Sequence, residues 1–256
     1  MRKYAATIVA YTVALFLAAI LAAATIGAVI EHALGLSMDI SCSLARIVVA
    51  TAILVVFRKL FCFRRSFSGI YYVMPLMFAA WNVTNCLIRG GSFVGVGGLP
   101  QAVVLGLGPG IFEEVIFRGF LIGKLREAGK GMMSTLVISA AVFGVVHMTN
   151  VIGSGIVQAV VQTSYSVVVG LVFGAVYIAS RDIVSVVLFH AATDICYRAF
   201  AGDAETSLLT LALFLVLLVL EASWGVRLVR RAERAEGERA ERDTEGSIRA
   251  CPQDFY

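Results

Sequence analysis

Residues 99–126 read LPQAVVLGLGPGIFEEVIFRGFLIGKLR. A helix of about 20 residues crosses a hydrocarbon core of about 30 Å, and this stretch is longer than that. Near its middle it holds Glu113, Glu114 and Arg118, side chains that are costly inside a bilayer and that mark function when found there. The rest of the chain decides whether a bilayer is the right solvent. Of its 256 residues 59% are hydrophobic and 15% charged, with a mean hydropathy of +0.89. A soluble domain carries roughly 45–50% apolar and about 25% charged residues, because it must cover its outside with polar groups. The composition therefore excludes an ordinary soluble globule. It also excludes disorder, which requires low hydrophobicity and high net charge. Four prolines and no repeat period exclude fibrous and solenoid chains.

Working outward from this stretch, eight segments are long and apolar enough to span: 5–30, 44–61, 69–88, 99–126, 134–152, 156–179, 183–200 and 206–228. None alternates as a barrel strand does, so the expected fold is all-α, a polytopic membrane protein of eight transmembrane helices. Ala5 to Ile30 exceeds the 7–15 apolar residues of a signal-peptide core and reads as an uncleaved first span. Loop charges orient the helices. One set of loops carries Arg2, Lys3, Arg58, Lys59, Arg64, Arg65, Lys124, Arg126, Lys130, Arg181, Arg227, Arg230 and Arg231, whereas the other carries Arg46, Arg89 and Arg198. The positive-inside rule then puts both termini in the cytoplasm, and adding or removing one span would scramble the pattern. The net charge of +4 lies in these loops and gives no reason to expect a nucleic-acid partner. The expected location is the plasma (cytoplasmic) membrane, with lipids as neighbours.

Two units follow: a membrane domain over 1–229, with its motif-bearing core at 99–200, and an Arg- and Glu-rich tail over 230–256. With few apolar residues to bury, the tail is expected to be solvated and disordered. Five scattered cysteines lack metal or disulfide spacing and read as small apolar fillers.

Ionisable groups deep in the spans cluster in three helices: Glu113, Glu114 and Arg118, then His147, then His190 and Asp194. At 1.5 Å per residue, Glu113 lies roughly 16 Å from the level of Lys124, and His147 roughly 20 Å from Ser134. His190 and Asp194 lie roughly 12 and 18 Å from Asp182. Helices entered from different loops thus bring polar groups to one layer, which points to a shared site. Glu114 and Arg118 are spaced i,i+4 with the acid first, the favoured order for an ion pair. Glu113, about 100° round the helix, is then left to face a cavity. His190 and Asp194 share a face, so Asp194 can hold one imidazole nitrogen. Phe143, one turn before His147, packs beside that ring. Pro109 is expected to kink or restart its helix, and Gln158, Gln162, Thr163 and Ser164 are candidate cavity-wall residues. The simpler account is that these groups only tie helices together, and it is strongest for Glu114 and Arg118.

In order, the chain offers EEVIFR (Glu113–Arg118), FGVVH (Phe143–His147) and HAATD (His190–Asp194). This resembles the motifs EExxxR, FxxxH and HxxxN/D of the CPBP family, the CAAX-protease and bacteriocin-processing (Abi) intramembrane proteases, over roughly residues 99–200. The resemblance implies an eight-helix glutamic endopeptidase with a catalytic cavity open toward the cytoplasm, hydrolysing a peptide bond near that membrane face. It implies Glu113 as the base that activates water, with His147 as its partner, and His190 with the residue at 194 as support for the oxyanion. Glu114, Arg118 and Phe143 are supporting residues. Position 194 is Asp where well-studied prenyl-processing members have Asn. An ionised Asp cannot donate to an oxyanion, so its expected role is to orient His190. The substrate is a peptide or protein, lipidated or not, and no cofactor is expected. Two alternatives stand beside this reading. One is a zinc endopeptidase using the same carboxylate and imidazoles; the other is a non-catalytic immunity, scaffold or transport protein.

Overall fold

The computed structural model describes residues 2–61, 63, 69–88, 90–201 and 208–249; Arg64, Arg65, Arg89, Cys62 and Cys251 lie outside these. The described residues are almost wholly helical. In chain order they form α1 (Arg2–Leu34), α2 (Met38–Val56), α3 (Val73–Ile88), β1 (Ser92–Phe93), α4 (Gly95–Glu114), a π-helical segment (Val115–Ile122) and α5 (Gly123–Glu127). There follow α6 (Met132–Val146), a 3-10 turn (His147–Asn150), α7 (Val151–Ser154), α8 (Ile156–Ser180), α9 (Ile183–Ala199), β2 (Phe200–Ala201) and α10 (Leu208–Arg249). Strands β1 and β2 pair antiparallel, Ser92 with Ala201 and Phe93 with Phe200. They fasten the α3–α4 turn to the end of α9.

Among the described residues six stretches are long and apolar enough to cross a membrane: Tyr4–Leu34, Met38–Val56, Gly95–Glu127, Met132–Gly153, Ile156–Ser180 and Ala212–Glu238. Helix α3 is apolar but has only 16 residues. Helix α9, with 17 residues, carries His190, Thr193, Asp194 and Arg198, and one face of it packs along α4. The eight expected segments thus correspond to eight helical rods, of which six meet the length and apolarity of a span.

Small residues set how closely the central helices approach. A Cβ on Gly106 would lie 2.8 Å from the backbone nitrogen of Ile195, and one on Gly110 2.8 Å from that of Ala191. Both glycines sit on the face of α4 that meets α9. Gly108, on another face, meets Ser43 of α2. Where hydrophobic burial cannot drive association, small residues let helix backbones pack closely, with a spacing of four keeping them on one face. Pro109 sits inside α4 without restarting it. Helices α6 and α8 are similarly close, since a Cβ on Gly170 would meet the Cα of Ala140 at 3.0 Å. The turn from α8 to α9 takes two residues, with Arg181 at φ 55 and Asp182 capping α9 by accepting from the backbone N–H groups of Val184 and Ser185 at 3.2 Å.

The tail departs from its expected disorder. Helix α10 continues through Arg249, and residues 250–256 lie outside the described part. Two of the tail's acids have partners on neighbouring loops. Glu233 accepts the N–H of Met133 at 2.8 Å, filling one of the unpaired donors at the start of α6. Glu236 accepts from Arg126 at 3.2 Å and from Arg181 at 3.3 Å. Leu228 and Val229 are buried beneath this segment. Charge content alone suggested a solvated segment because those partners are about 50 to 110 positions away in the chain.

Candidate active site

The site forms where α4 gives way to the π-helical segment. π-Helical turns are rare and recur at functional sites. Here the change of pitch begins directly after the paired acids, and Ser139 of α6 donates to the carbonyl of Phe117 within it at 3.1 Å. Glu114 points into the protein and is fully buried, whereas Glu113 turns to a cavity of about 590 Å³ with its side chain 18% exposed.

Around Glu114 the polar groups form a cross-helix tie. Its Oε1 lies 3.1 Å from Nη1 of Arg118 and 2.7 Å from Nδ1 of His190. Arg118 is itself fully buried, its guanidinium carbon 4.2 Å from the centre of the Phe143 ring, with Nη2 reaching the carbonyl of Gly170 at 3.5 Å. One carboxylate and one guanidinium therefore join α4, α6, α8 and α9. Such a buried pair is weak evidence for net stability, but breaking it strands a charge.

Glu113 faces both imidazoles. Its Oε2 lies 3.9 Å from Nε2 of His147 and 3.8 Å from Nε2 of His190. These separations are too long for direct hydrogen bonds and short enough for one water to link the groups. The far nitrogen of each ring is committed. His147 Nδ1 is 2.7 Å from the carbonyl of Phe143, and a carbonyl only accepts, so Nδ1 carries the proton. In neutral His147, Nε2 then presents a lone pair to the cavity. His190 Nδ1 likewise meets the carboxylate of Glu114, so Nε2 donates only when the ring holds a second proton. Phe143 stands between the rings, edge-on to His147 at 4.9 Å and to His190 at 6.0 Å.

Two expectations need correction. Asp194 was expected to hold one imidazole nitrogen of His190, and it hydrogen-bonds neither. Its Oδ2 lies 4.0 Å from Nε2 instead, on the cavity side, and Glu114 orients the ring. The i,i+4 spacing put Asp194 near His190 but could not show that Glu114, on another helix, would come closer. The second concerns the mouth. From Glu113 and His190 the cavity runs past Tyr165 and Asp194 to Asn150, Gln158, Tyr197 and Arg198, with Arg46 on its wall. These residues lie toward the bundle end that holds β1, β2 and α7. None of the cationic loops at Lys59, Lys124, Arg126, Lys130, Arg181 or Arg227 contributes to it. A cytoplasmic opening and a cytoplasmic cationic face were both expected, and the geometry does not allow both.

Gln158 and Gln162 line the cavity as expected of span six, while Thr163 and Ser164 do not. Sequence reasoning missed Trp81, Asn82 and Asn85 of α3 and Tyr165 of α8, which also line it; only the amides of α3, polar residues in an apolar helix, offered a signal. It also missed Glu221, buried in α10 away from the cavity, whose Oε1 has no hydrogen-bond partner among the described residues. Zinc would require donors about 2.0–2.2 Å from one point, and among the described residues no three His, Cys, Asp or Glu side chains are so grouped.

Comparison with known families bears on this geometry. Residues 95–196 match the family described as Rce1-like, type II CAAX prenyl endopeptidase Rce1-like. No curated protein matches the chain. The matched segment runs from the start of α4 almost to the end of α9, so Glu113, Glu114, Arg118, Phe143, His147, His190 and Asp194 all fall inside it. The resemblance read from the three motifs thus agrees with the family match. Together with the six long apolar helices, the match describes an integral membrane protein similar to CAAX endopeptidases.

Proposed function

We propose that the chain is an eight-span intramembrane endopeptidase of the glutamic type, with both termini in the cytoplasm and Glu113 as the base that activates water. The observation that carries this reading is the position of Oε2 of Glu113, 3.9 and 3.8 Å from the cavity-facing nitrogens of His147 and His190. One water within hydrogen-bond reach of Glu113 and His147 gives up a proton as it attacks a peptide carbonyl. His147, its Nδ1 anchored to Phe143, holds the ring edge that shares this proton. His190, carrying protons on both nitrogens and held by Glu114, donates from Nε2 to the developing oxyanion, where a preorganised donor in a water-poor site acts strongly. Asp194, beside the same nitrogen, accompanies that imidazolium. The proposal uses no metal, and its substrate is a peptide or protein segment.

The test is a mass-spectrometric comparison of membrane and secreted peptides between cells carrying the native chain and cells carrying Glu113→Gln, which keeps size and hydrogen bonding but cannot act as a base. The expected result is one or more cleavage products present in the native cells and missing in the variant. Identical peptide profiles, with a cellular phenotype that persists in Glu113→Gln, would point to the non-catalytic reading.

A further inference from the structure

A second cavity, of about 270 Å³, lies apart from Glu113 and is built where helices end. Lys59 and Leu60 follow α2, Ile122 and Arg126 come near the end of the stretch that begins with α4, Met132 opens α6, and Arg181 follows α8. Of the six stretches among the described residues that are long enough to cross a membrane, four start or stop here: Met38–Val56, Gly95–Glu127, Met132–Gly153 and Ile156–Ser180. A spanning helix ends where hydrocarbon gives way to headgroups, so this cavity stands at headgroup level. Its lining is of two kinds. Leu60, Ile122 and Met132 are buried and apolar, whereas Lys59, Arg126 and Arg181 bring positive charge to the same space. Glu127 also lines it but is paired with Lys124 at 2.9 Å.

Among the described residues Arg181 is the only one besides glycines with a positive φ, 55°. It occupies the position after α8 that glycine usually takes, in a backbone conformation that disfavours any residue with a Cβ. Strain of this kind persists where a side chain is needed. Nη2 of Arg181 lies 3.3 Å from Glu236, which also meets Nη2 of Arg126 at 3.2 Å. Both separations exceed the roughly 2.7–2.9 Å of a close charge-assisted bond, and Glu236 is half-exposed. One loosely held carboxylate thus sits where two guanidiniums converge. Arg126 is steadied by donating to the carbonyl of Lys130 at 2.8 Å, while Lys59 has no ion-pair partner among the described residues. We propose that this cavity binds the phosphate of an anionic phospholipid, held by Arg126, Arg181 and Lys59, with Glu236 as the carboxylate that the phosphate displaces. A guanidinium fork matches phosphate oxygens, and basic pockets between membrane helices suit lipid headgroups. A free phosphate ion would satisfy the cations but leave Leu60, Ile122 and Met132 without an apolar partner, which the first carbons of a lipid supply. The volume suits a headgroup, while the acyl chains stay in the bilayer. No residue of this cavity belongs to the site around Glu113, so the inference stands or falls independently of the endopeptidase reading.

The test titrates the full chain, purified in an uncharged detergent, with short-chain phosphatidylglycerol, phosphatidylcholine of the same chain length, and inorganic phosphate. Binding is read from the rise in the unfolding midpoint. Phosphatidylglycerol is expected to bind about ten- to a hundredfold more tightly than phosphatidylcholine, whose choline cancels the phosphate charge and faces three cations. Arg181→Gly suits the backbone at that position, so the chain should fold and lose the preference. Lys59→Gln disturbs no ion pair and should weaken it; if Arg181→Gly unfolds the chain, this variant decides alone. Glu236→Gln removes the competing carboxylate and should tighten lipid binding severalfold. Equal binding of the two lipids, a preference that survives both Arg181→Gly and Lys59→Gln, or weaker binding in Glu236→Gln overturns the inference. Inorganic phosphate binding as tightly as phosphatidylglycerol overturns the lipid as the source of the phosphate.

Discussion

The two ends of the helix bundle use charge in opposite ways. At the cationic end, charged side chains pair with one another: Glu236 with Arg126 and Arg181, and Lys124 with Glu127 at 2.9 Å. A smaller cavity there, of about 270 Å³ and lined by Lys59, Arg126 and Arg181, contains none of the site residues. At the other end polar groups line open space, and Glu113, Asp194, Arg46 and Arg198 surround one cavity. Pairing fastens the loops at one end; leaving groups facing a void equips the other for a ligand. Between them sits the buried tie of Glu114, Arg118 and His190, which belongs to both the scaffold and the site.

This contrast makes stability and activity separable, and the sharpest way to break it is at the tie. Glu114→Ala strands Arg118 in a buried setting and frees His190, so it should cost about 3–5 kcal/mol of stability together with turnover. Thermal unfolding in detergent checks the first part, and full stability with lost activity would show that Glu114 serves the site alone. Next in size, His190→Ala should slow cleavage by about 10²–10³-fold, the usual effect of removing an oxyanion donor, while costing less stability than Glu114→Ala, because Arg118 keeps its carboxylate partner, and leaving membrane insertion intact. Retained cleavage would remove His190 from the mechanism. Asp194→Asn should change turnover by about tenfold or less, since its Oδ2 lies 4.0 Å from Nε2, beyond hydrogen-bond reach, and the substitution removes only a neighbouring charge; a collapse of activity would give the Asp194 carboxylate a larger part. The smallest effect belongs to the cationic end. Glu236→Gln should cost about 1 kcal/mol or less, as exposed ion pairs do, with no change in cleavage, and a change in kinetics would mean that the two ends communicate.

Much of this was legible in the sequence because it rests on local spacing or on bulk composition. Apolar length marked the helices, and the i,i+4 relation of Glu114 and Arg118 became a contact of 3.1 Å. The three motifs marked three of the helices that line the cavity, α4, α6 and α9. What could not be read depends on partners remote in the chain. Glu114 reaches His190 across 76 positions, and Glu236 reaches Arg126 across 110; no periodicity encodes either. The glycines of α4 were visible as a cluster, but only the close approach of Ala191 and Ile195 explains why Gly106 and Gly110 are needed. The direction of the cavity was illegible for a related reason. Depth along each helix gives a layer, and a layer does not say on which side the packing leaves a gap.

The central claim is that the carboxylate of Glu113, working with two imidazoles and without a metal, hydrolyses a peptide bond. The most direct measurement is cleavage of a peptide library by the purified, reconstituted chain after exhaustive chelation, native against Glu113→Gln. The account predicts that the native chain keeps its activity under chelation and that the variant falls by about 10²–10⁴-fold, the span associated with a lost general base. Equal rates for the two, or native activity abolished by chelation and restored by zinc, would contradict it.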